Sequence, residues 1–175
     1  MTIKKICTLL LGTLLMFILV TGTAQPEAEA IVAFMPQVDG GWYHTIALKA
    51  DGTVWTWGRN WKGNLGDGTL IDRQVPGQVP GLNEVISISA GRHFCVALKM
   101  DGTLWTWGEN NYGQLGDGTT VNKATPTCVL SEVAFAKAGW NHVLAVKTDG
   151  TLWAWGCNAQ GQVGDGTTTS QLSPI

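Results

Sequence analysis

The sequence has few charged residues, and the charges that it has nearly balance. Asp, Glu, Lys and Arg make up 14% of the 175 residues, and the formal net charge is −2. A surface that attracts nucleic acid by its charge needs an excess of Lys and Arg. We therefore expect no nucleic-acid partner.

The sequence also lacks the motifs on which common enzyme classes depend. It contains no GxSxG, HExxH, CxxC or phosphate-binding loop. The segment GNLGDG (63–68) follows a predicted strand but precedes no helical pattern, so it lacks the context of a nucleotide-binding motif. Asp67 and its two counterparts lie in loops without the alternating carboxylates of a calcium site, and turn formation is enough to explain them. We predict no catalytic residue, no cofactor and no metal site.

Cysteine is scarce, with four residues in the whole chain. Cys7 lies at the start of an apolar run near the N-terminus, which leaves Cys95, Cys128 and Cys157 for the fold. An odd number leaves at least one cysteine unpaired within the chain. Cys95 lies in the apolar segment HFCVAL and is most simply a small buried hydrophobic residue. A disulfide between Cys128 and Cys157 stays open, because nothing in their spacing requires it.

Residues 1–24 have the layout of a secretory signal peptide. Lys4 and Lys5 form a basic start, Ile6–Val20 is an apolar run, and small residues follow at 21–24. A second cleavage position lies after residue 30. An apolar run of this length falls short of the roughly 20 residues that a membrane-spanning helix needs. We predict export, a secreted or cell-surface protein, and no membrane association after cleavage.

Glycine and tryptophan are abundant, with 23 and nine residues. They concentrate in a segment that occurs three times, as DGTVWTWGRNWKGNLGDGT (51–69), DGTLWTWGENNYGQLGDGT (101–119) and DGTLWAWGCNAQGQVGDGT (149–167). The starting Asp residues are 50 and then 48 positions apart. Such a period is typical of a supersecondary unit that buries its faces against copies of itself. We place the repeats at about 38–87, 88–135 and 136–175, after a lead-in segment at 25–37.

Each repeat predicts short strands joined by tight turns. In the first repeat, a strand ending at Gly40 precedes a second strand at Thr45–Lys49 and a third at TVWTWG (53–58). Asp51-Gly52 predicts a two-residue type I′ hairpin turn, in which both residues have positive φ. A glycine-rich loop and a connecting segment through Pro76 then lead to a further strand.

The third strand carries two Trp residues that alternation places on one face of a sheet. Neither face of this strand is charged, so we expect both to be covered by similar sheets. Fully burying one such indole contributes up to about 4–6 kcal/mol. We assign six Trp residues to the structural core: Trp55, Trp57, Trp105, Trp107, Trp153 and Trp155.

These residues resemble the regulator of chromosome condensation repeat family. The shared pattern is a Gly-x-x-His turn, a strand ending in Trp-Gly, an Asn-x-x-Gly loop and a late Pro, found first at Gly41…His44, Trp57-Gly58, Asn60, Gly63–Gly66 and Pro76. The resemblance covers about residues 38–175 and implies a β-propeller with one four-stranded blade per repeat. We therefore predict an all-β fold, a partial β-propeller of about three four-stranded blades with the last incomplete.

Two departures from the family pattern affect function. The family's propellers usually close with seven blades, so three repeats would leave apolar faces uncovered. We expect either a longer parent chain or self-assembly, and the oligomeric state stays open. In the middle repeat, Phe94 takes the register of His44 and His142, and His93 is displaced by one position. A role that needs all three histidines is therefore not expected, and we interpret His44 and His142 as buried hydrogen-bonding residues.

The loops that differ between repeats are the candidates for binding, because propeller loops carry function while strands carry packing. Trp, Tyr and Arg are the residue types most enriched in interface hot spots. The candidate partner-binding residues are Trp42, Tyr43, Arg59, Trp61, Arg92, His93, Tyr112, Trp140 and Asn141.

Export, low charge and aromatic loops favour a non-enzymatic scaffold that binds another protein through loops of one propeller face, as secreted bacterial members of the family do with enzymes. The alternative is a glycan-binding module in which Trp42, Trp61 and Trp140 stack on sugar rings. A third hypothesis is an ultraviolet sensor, because GWYHT (41–45) is similar to the Gly-Trp-Arg-His-Thr motif of the plant ultraviolet-B photoreceptor. Nucleotide exchange on a small GTPase, the family's namesake activity, is the least favoured.

Overall fold

The computed structural model describes residues 34–175, and every structural statement concerns this part of the chain. The predicted signal peptide (1–24) and most of the lead-in segment lie outside the described residues. The strands are β1 (Gln37–Gly40), β2 (His44–Leu48), β3 (Val54–Gly58), β4 (Arg73–Gln78), β5 (Val85–Ala90), β6 (Phe94–Lys99), β7 (Leu104–Gly108), β8 (Lys123–Leu130), β9 (Val133–Ala138), β10 (His142–Lys147) and β11 (Leu152–Gly156). No helix between residues 34 and 175 is both long and apolar enough to span a bilayer.

The strands form three antiparallel sheets, one for each repeat. The sheet orders are β1-β2-β3-β4, β5-β6-β7-β8 and β11-β10-β9. In the third sheet, the place of a fourth strand is partly filled by the last residues: Gln171 bridges Gly156, and Ile175 exchanges backbone hydrogen bonds with Ala154. The predicted all-β fold with two four-stranded sheets and an incomplete third is confirmed.

The core lies between neighbouring sheets, in two layers built in the same way. The first layer packs Ile46, Leu48 and Val54 of the first sheet against Cys95 and Trp107 of the second. The second layer packs Phe94, Val96 and Leu104 of the second sheet against Val143, Ala145 and Trp155 of the third. The second sheet is therefore covered on both faces, whereas each of the other two is covered by a neighbouring sheet on one.

The hairpin turn at Asp51-Gly52 is not the predicted type I′ turn. Gly52 has φ of 76°, but Asp51 stays outside the left-handed region. The amide of Gly52 donates to the carbonyl of Lys49, and the Asp51 carboxylate accepts from both the amide and the hydroxyl of Thr53. A type I turn followed by a left-handed Gly satisfies these bonds, because the aspartate side chain closes the turn in place of a second left-handed residue.

The fourth strand begins earlier than the sequence indicated. Pro76 and Pro126 lie inside β4 and β8 and not in a connecting segment. Both prolines fall where the register with the third strand is interrupted, between the pairs Gly58–Arg73 and Thr56–Gly77 in the first sheet. Proline lacks an amide donor and is accommodated at such a bulge in an edge strand.

The six tryptophans assigned to the core differ in burial. Trp107 and Trp155 are completely buried, whereas Trp55, Trp57, Trp105 and Trp153 keep part of their surface exposed. The first Trp of each pair lies nearer the hairpin turn, and its Nε1 donates to a threonine hydroxyl there, at 3.0 Å in the case of Trp55 and Thr53. Trp57 matches Trp107 in register but faces away from the other two sheets.

Candidate functional site

The aromatic candidates gather on one face of the molecule because antiparallel pairing brings two loops of each sheet to the same end. The loop after β1 carries Trp42 and Tyr43, and the loop after β3 carries Arg59 and Trp61. Backbone hydrogen bonds align the equivalent loops of the three sheets, from the amide of Trp42 to the carbonyl of Arg92 and from the amide of Arg92 to the carbonyl of Trp140, both at 3.0 Å.

These loops form one contiguous surface, which we call the aromatic cluster. The ring centroids of Trp42 and Tyr43 are 5.0 Å apart and stacked, and those of Trp42 and Trp140 are 6.3 Å apart and perpendicular. Trp42 is 50% exposed and Trp140 is 65% exposed. Large aromatic side chains so open to solvent, and in mutual contact, are typical of a recognition surface. The members of the aromatic cluster are Trp42, Tyr43, Arg59, Trp61, Arg92, His93 and Trp140.

His93 lies beneath these rings and is 3% exposed, so it supports the surface instead of forming it. Its ring centroid is 5.3 Å from that of Trp61 and 5.5 Å from that of Trp42. Burial lowers the pKa of His93; Glu109 opposes this, and the charges of Arg92, Lys62 and Arg59 lower it further. The imidazole is therefore neutral at pH 7 and packs among the aromatic rings.

Cations lie over the exposed rings. The guanidinium of Arg92 lies 4.1 Å from the ring centroid of Trp42 and 5.5 Å from that of Trp140. Arg59 lies over both Tyr43 and Trp61, at 5.6 and 5.4 Å. Each such contact is worth about 0.5–1 kcal/mol at an exposed site and restrains the flexible arginine. The surface therefore offers ordered positive charge set among apolar rings.

Lys62 and Glu109 complete this surface; both lie in the loops that differ between repeats, but neither is among the nine candidate residues. Lys62 lies 4.7 Å from the ring centroid of Trp61 and 3.5 Å from the carboxylate of Glu109. Glu109 is buried and takes the place that Arg59 has in the first repeat. The change from Arg59 to Glu109 at equivalent positions was the signal available in the sequence. The contact between the loop after β3 and the loop after β7 could not be predicted from the sequence.

Two other candidates lie apart from the cluster contacts. Tyr112 is exposed in the loop after β7 and stacks on none of the cluster rings among the described residues. Asn141 is partly buried, and its side-chain oxygen has no hydrogen-bond partner within residues 34–175. A shallow cavity of about 300 Å³ lies beside the cluster and is lined by Trp42, Arg92, Trp140 and the glycines of the same three loops.

The glycine-rich loops are organised by a buried asparagine in each repeat. The side-chain nitrogen of Asn60 donates to the Asp67 carboxylate and the Thr69 carbonyl, and its oxygen accepts from the amide of Leu65. Partial burial acts to raise the pKa of Asp67, but hydrogen bonds from Thr69 and the charge of Arg73 bring that pKa below its usual value. Across residues 34–175, no group of three or more His, Cys, Asp or Glu side chains could hold a metal ion.

A buried contact joins His44 and Cys95, whose Nε2 and Sγ atoms are 3.2 Å apart. Burial lowers the pKa of His44 to about 4, and burial raises the pKa of the Cys95 thiol well above its usual range. A nucleophilic cysteine needs a depressed pKa and access to substrate, so this pair joins two sheets as a neutral contact. Cys128 and Cys157 are free, and the disulfide that the sequence left open is not formed.

Comparison with known sequences and structures agrees with this arrangement. The family described as "Regulator of chromosome condensation (RCC1) repeat" matches residues 51–98 and 101–146, and a second form of the same repeat matches 37–63, 85–114 and 133–162. The chain is 42% identical over 64 residues to the ultraviolet-B receptor UVR8 of Arabidopsis thaliana, which is 35% of this chain and 14% of that protein. It is 36% identical over 47 residues to the Protein RCC2 homolog of Danio rerio, covering 27% and 10%.

Among solved structures, yeast RCC1 (Prp20) bound to Kap60 superposes with a TM-score of 0.69 at 24% identity, over 79% of this chain and 36% of that one. Prp20p of Saccharomyces cerevisiae gives a TM-score of 0.63 at 26% identity, over 79% of this chain and 37% of that one. The chain thus spans little more than a third of these structures. With the repeat matched over most of the three sheets, the chain belongs to the regulator of chromosome condensation repeat family.

Proposed function

We propose that this chain is a non-enzymatic, exported binding scaffold that recognises another protein through the aromatic cluster. The observation that carries the proposal is the contact of Arg92 with both Trp42 and Trp140, which joins all three repeats in one exposed surface. Export rests on the signal-peptide pattern of residues 1–24.

The composition and order of the surface favour a protein partner. Interface hot spots are enriched in Trp, Tyr and Arg, which are the residue types that the cluster presents. The side chains are already held by stacking and by backbone bonds between the loops, so binding costs little ordering entropy. His93 is buried and packs against three of the rings, which restrains them further.

The charges indicate what the partner presents. Arg59, Lys62 and Arg92 contribute three positive charges, and Glu109 offsets one of them through its contact with Lys62. A guanidinium in a partly apolar setting binds carboxylates more strongly than it does in open water. We expect the partner segment to carry Asp or Glu beside apolar side chains.

The experiment is a selection of random phage-displayed peptides on the full chain. Enrichment of acidic and apolar residues is expected, with binding at least tenfold weaker to the Arg92→Glu variant. Tyr112→Ala is the matched control, because it removes an exposed aromatic outside the cluster and should leave binding unchanged. Peptide binding that Arg92→Glu leaves intact, or a failure to enrich acidic peptides, would contradict the proposal. Glycan-array binding that depends on Trp42 and Trp140 would favour the glycan alternative instead.

One observation favours a second candidate, an ultraviolet sensor. The chain is similar to a protein named an ultraviolet-B receptor, and Arg92 lies between two indoles although the motif at 41–45 lacks an arginine. Arg92 of the middle repeat thus supplies an arginine beside the indoles, in place of the one that the motif at 41–45 lacks. Irradiation of the full chain with ultraviolet-B light, followed by size-exclusion chromatography, tests it. An unchanged elution volume after irradiation would exclude this candidate.

A further inference from the structure

One hydrogen bond between neighbouring sheets occurs in the same form at both junctions. The indole Nε1 of Trp107 donates to the carbonyl of Asn64 in the preceding sheet's loop at 3.0 Å, and that of Trp155 donates to the carbonyl of Gln114 at 3.0 Å. A glycine of the same loop makes room for each ring, since a Cβ on Gly66 would lie 2.7 Å from Trp107 and one on Gly116 would lie 2.6 Å from Trp155.

Each sheet therefore has two different faces that fit one another. One face, which we call the tryptophan face, receives the preceding sheet; in the first sheet it is formed by Val38, Ala47, Trp55 and Trp57. The opposite face, which we call the leucine face, receives the following sheet; in the third sheet it is formed by Phe135, Leu144 and Leu152.

Both of these end faces are exposed within the described part of the chain. Val38 is 72% exposed although its counterpart Ile88 is buried in the first core layer. Leu152 is 69% exposed although its counterparts Val54 and Leu104 are completely buried. Contiguous apolar area of this kind is unusual on a protein that remains alone in water.

The polar groups at the two end faces are complementary as well. Trp57 occupies the register of Trp107 and Trp155, and the matching acceptor at the other end is the carbonyl of Gln162. A Cβ on Gly164 would meet nothing within 4 Å, so the space that holds an indole elsewhere is open there. Asp39, Ser89 and Lys137 occupy equivalent positions in the three sheets, and Asp39 contacts Ser89 of the next sheet. At a junction between two copies, Lys137 of one copy would therefore lie against Asp39 of the other, a pair of opposite charges.

We propose that the leucine face of one copy of this chain packs against the tryptophan face of a second copy, in the geometry already present between its own sheets. The contact is head to tail, so each copy uses a different face. It places Trp57 of one copy against the Gly164 loop of the other and continues the row of blades. The aromatic-cluster loops of both copies then lie at the same end.

The test uses two variants of the full chain, each changed at a side chain that is mostly exposed in a single copy. Leu152→Asp damages the leucine face, and Val38→Asp damages the tryptophan face. Because both positions are highly exposed, neither change should alter the circular dichroism spectrum or unfold the chain. Sedimentation up to ~100 µM should show that the wild type associates and that each variant alone does so at least tenfold more weakly.

Mixing the two variants is the decisive step. A mixture retains one undamaged leucine face and one undamaged tryptophan face, so it should form a one-to-one pair of near wild-type affinity. Association of the wild type as a pair or as a longer series supports the proposal equally, since head-to-tail contacts can close or continue. A wild type that stays a single chain at ~100 µM, or a mixture that fails to pair, would overturn it.

Discussion

Replacing Trp107 by alanine tests whether the indole between the first two sheets holds the fold together. Its ring is completely buried, and its Nε1 donates to the carbonyl of Asn64 in the preceding sheet. Burial of about 150–250 Å² at ~25 cal/mol/Å² sets an upper bound of about 4–6 kcal/mol. Because unfolded chains already bury part of this area, we expect a loss of about 3–5 kcal/mol in the free energy of unfolding.

Trp105→Ala is the matched control, because Trp105 lies two residues earlier on the same face of the same strand. Its ring is partly exposed, and its Nε1 bonds locally to the Thr103 hydroxyl. We expect this variant to lose about 1–2 kcal/mol, since less area leaves water and no bond between sheets is broken. Trp107→Phe should fall between the two, because it keeps a ring but leaves the Asn64 carbonyl with only the weaker Cys95 thiol donor, whose Sγ lies 3.5 Å away.

The assay is urea denaturation followed by circular dichroism at one protein concentration, with all variants analysed by linear extrapolation. A typical domain has 5–15 kcal/mol of stability in total, so the loss at Trp107 is a large fraction of it. If Trp105→Ala proves as costly as Trp107→Ala, or if Trp107→Ala costs under about 1 kcal/mol, the assignment of stability to the layers between sheets is wrong.

Two further predictions concern the same layers. The free energy of unfolding should fall by about 2 kcal/mol between pH 7 and pH 5 because of His44. Burial holds the pKa of His44 at about 4, so the folded state binds the proton more weakly than the unfolded chain does. The stabilising contribution is therefore present above pH ~6.5 and is lost as the pH falls toward 4. His44→Phe, which copies the middle repeat, should flatten that part of the curve in pH-dependent urea melts, and an unchanged slope would contradict the reasoning. In thermal melts, Gly66→Ala should lower the free energy of unfolding by at least about 2 kcal/mol more than Gly68→Ala does. Both glycines have positive φ, but only a Cβ at Gly66 meets the indole of Trp107. Equal losses from the two variants would show that only the backbone conformation matters.

The sequence predicted the fold well because the repeat states the same pattern three times. Alternation placed the paired tryptophans on one face, and the register of β2 with β3 and of β6 with β7 confirms it. The turn type was wrong because Asp51 can close a turn through its side chain, which a residue pair alone does not reveal. The start of β4 was missed because Pro76 was placed in a connecting segment, although a bulge accommodates it within the strand.

The candidate site was predicted in part. The aromatic loop positions were found because they differ between repeats, and the structure brings seven of the nine into contact. The burial of His93 could not be predicted, because it depends on three rings from the first repeat closing over a residue of the second. The pairing of Lys62 with Glu109 likewise depends on how closely two loops approach across neighbouring sheets.

The hydrogen bond from Trp107 to the Asn64 carbonyl, repeated at Trp155 and Gln114, has a consequence for how such a chain changes over evolutionary time. Each repeat carries an indole donor on one face and a carbonyl acceptor on the other, so a duplicated repeat already has both groups of the interface. Whole repeats can therefore be gained by gene duplication or lost by deletion, because the interface between neighbouring sheets stays the same. Meanwhile the loop side chains of Trp42, Arg92 and Trp140 take no part in these hydrogen bonds, so they are free to differ from one repeat to the next.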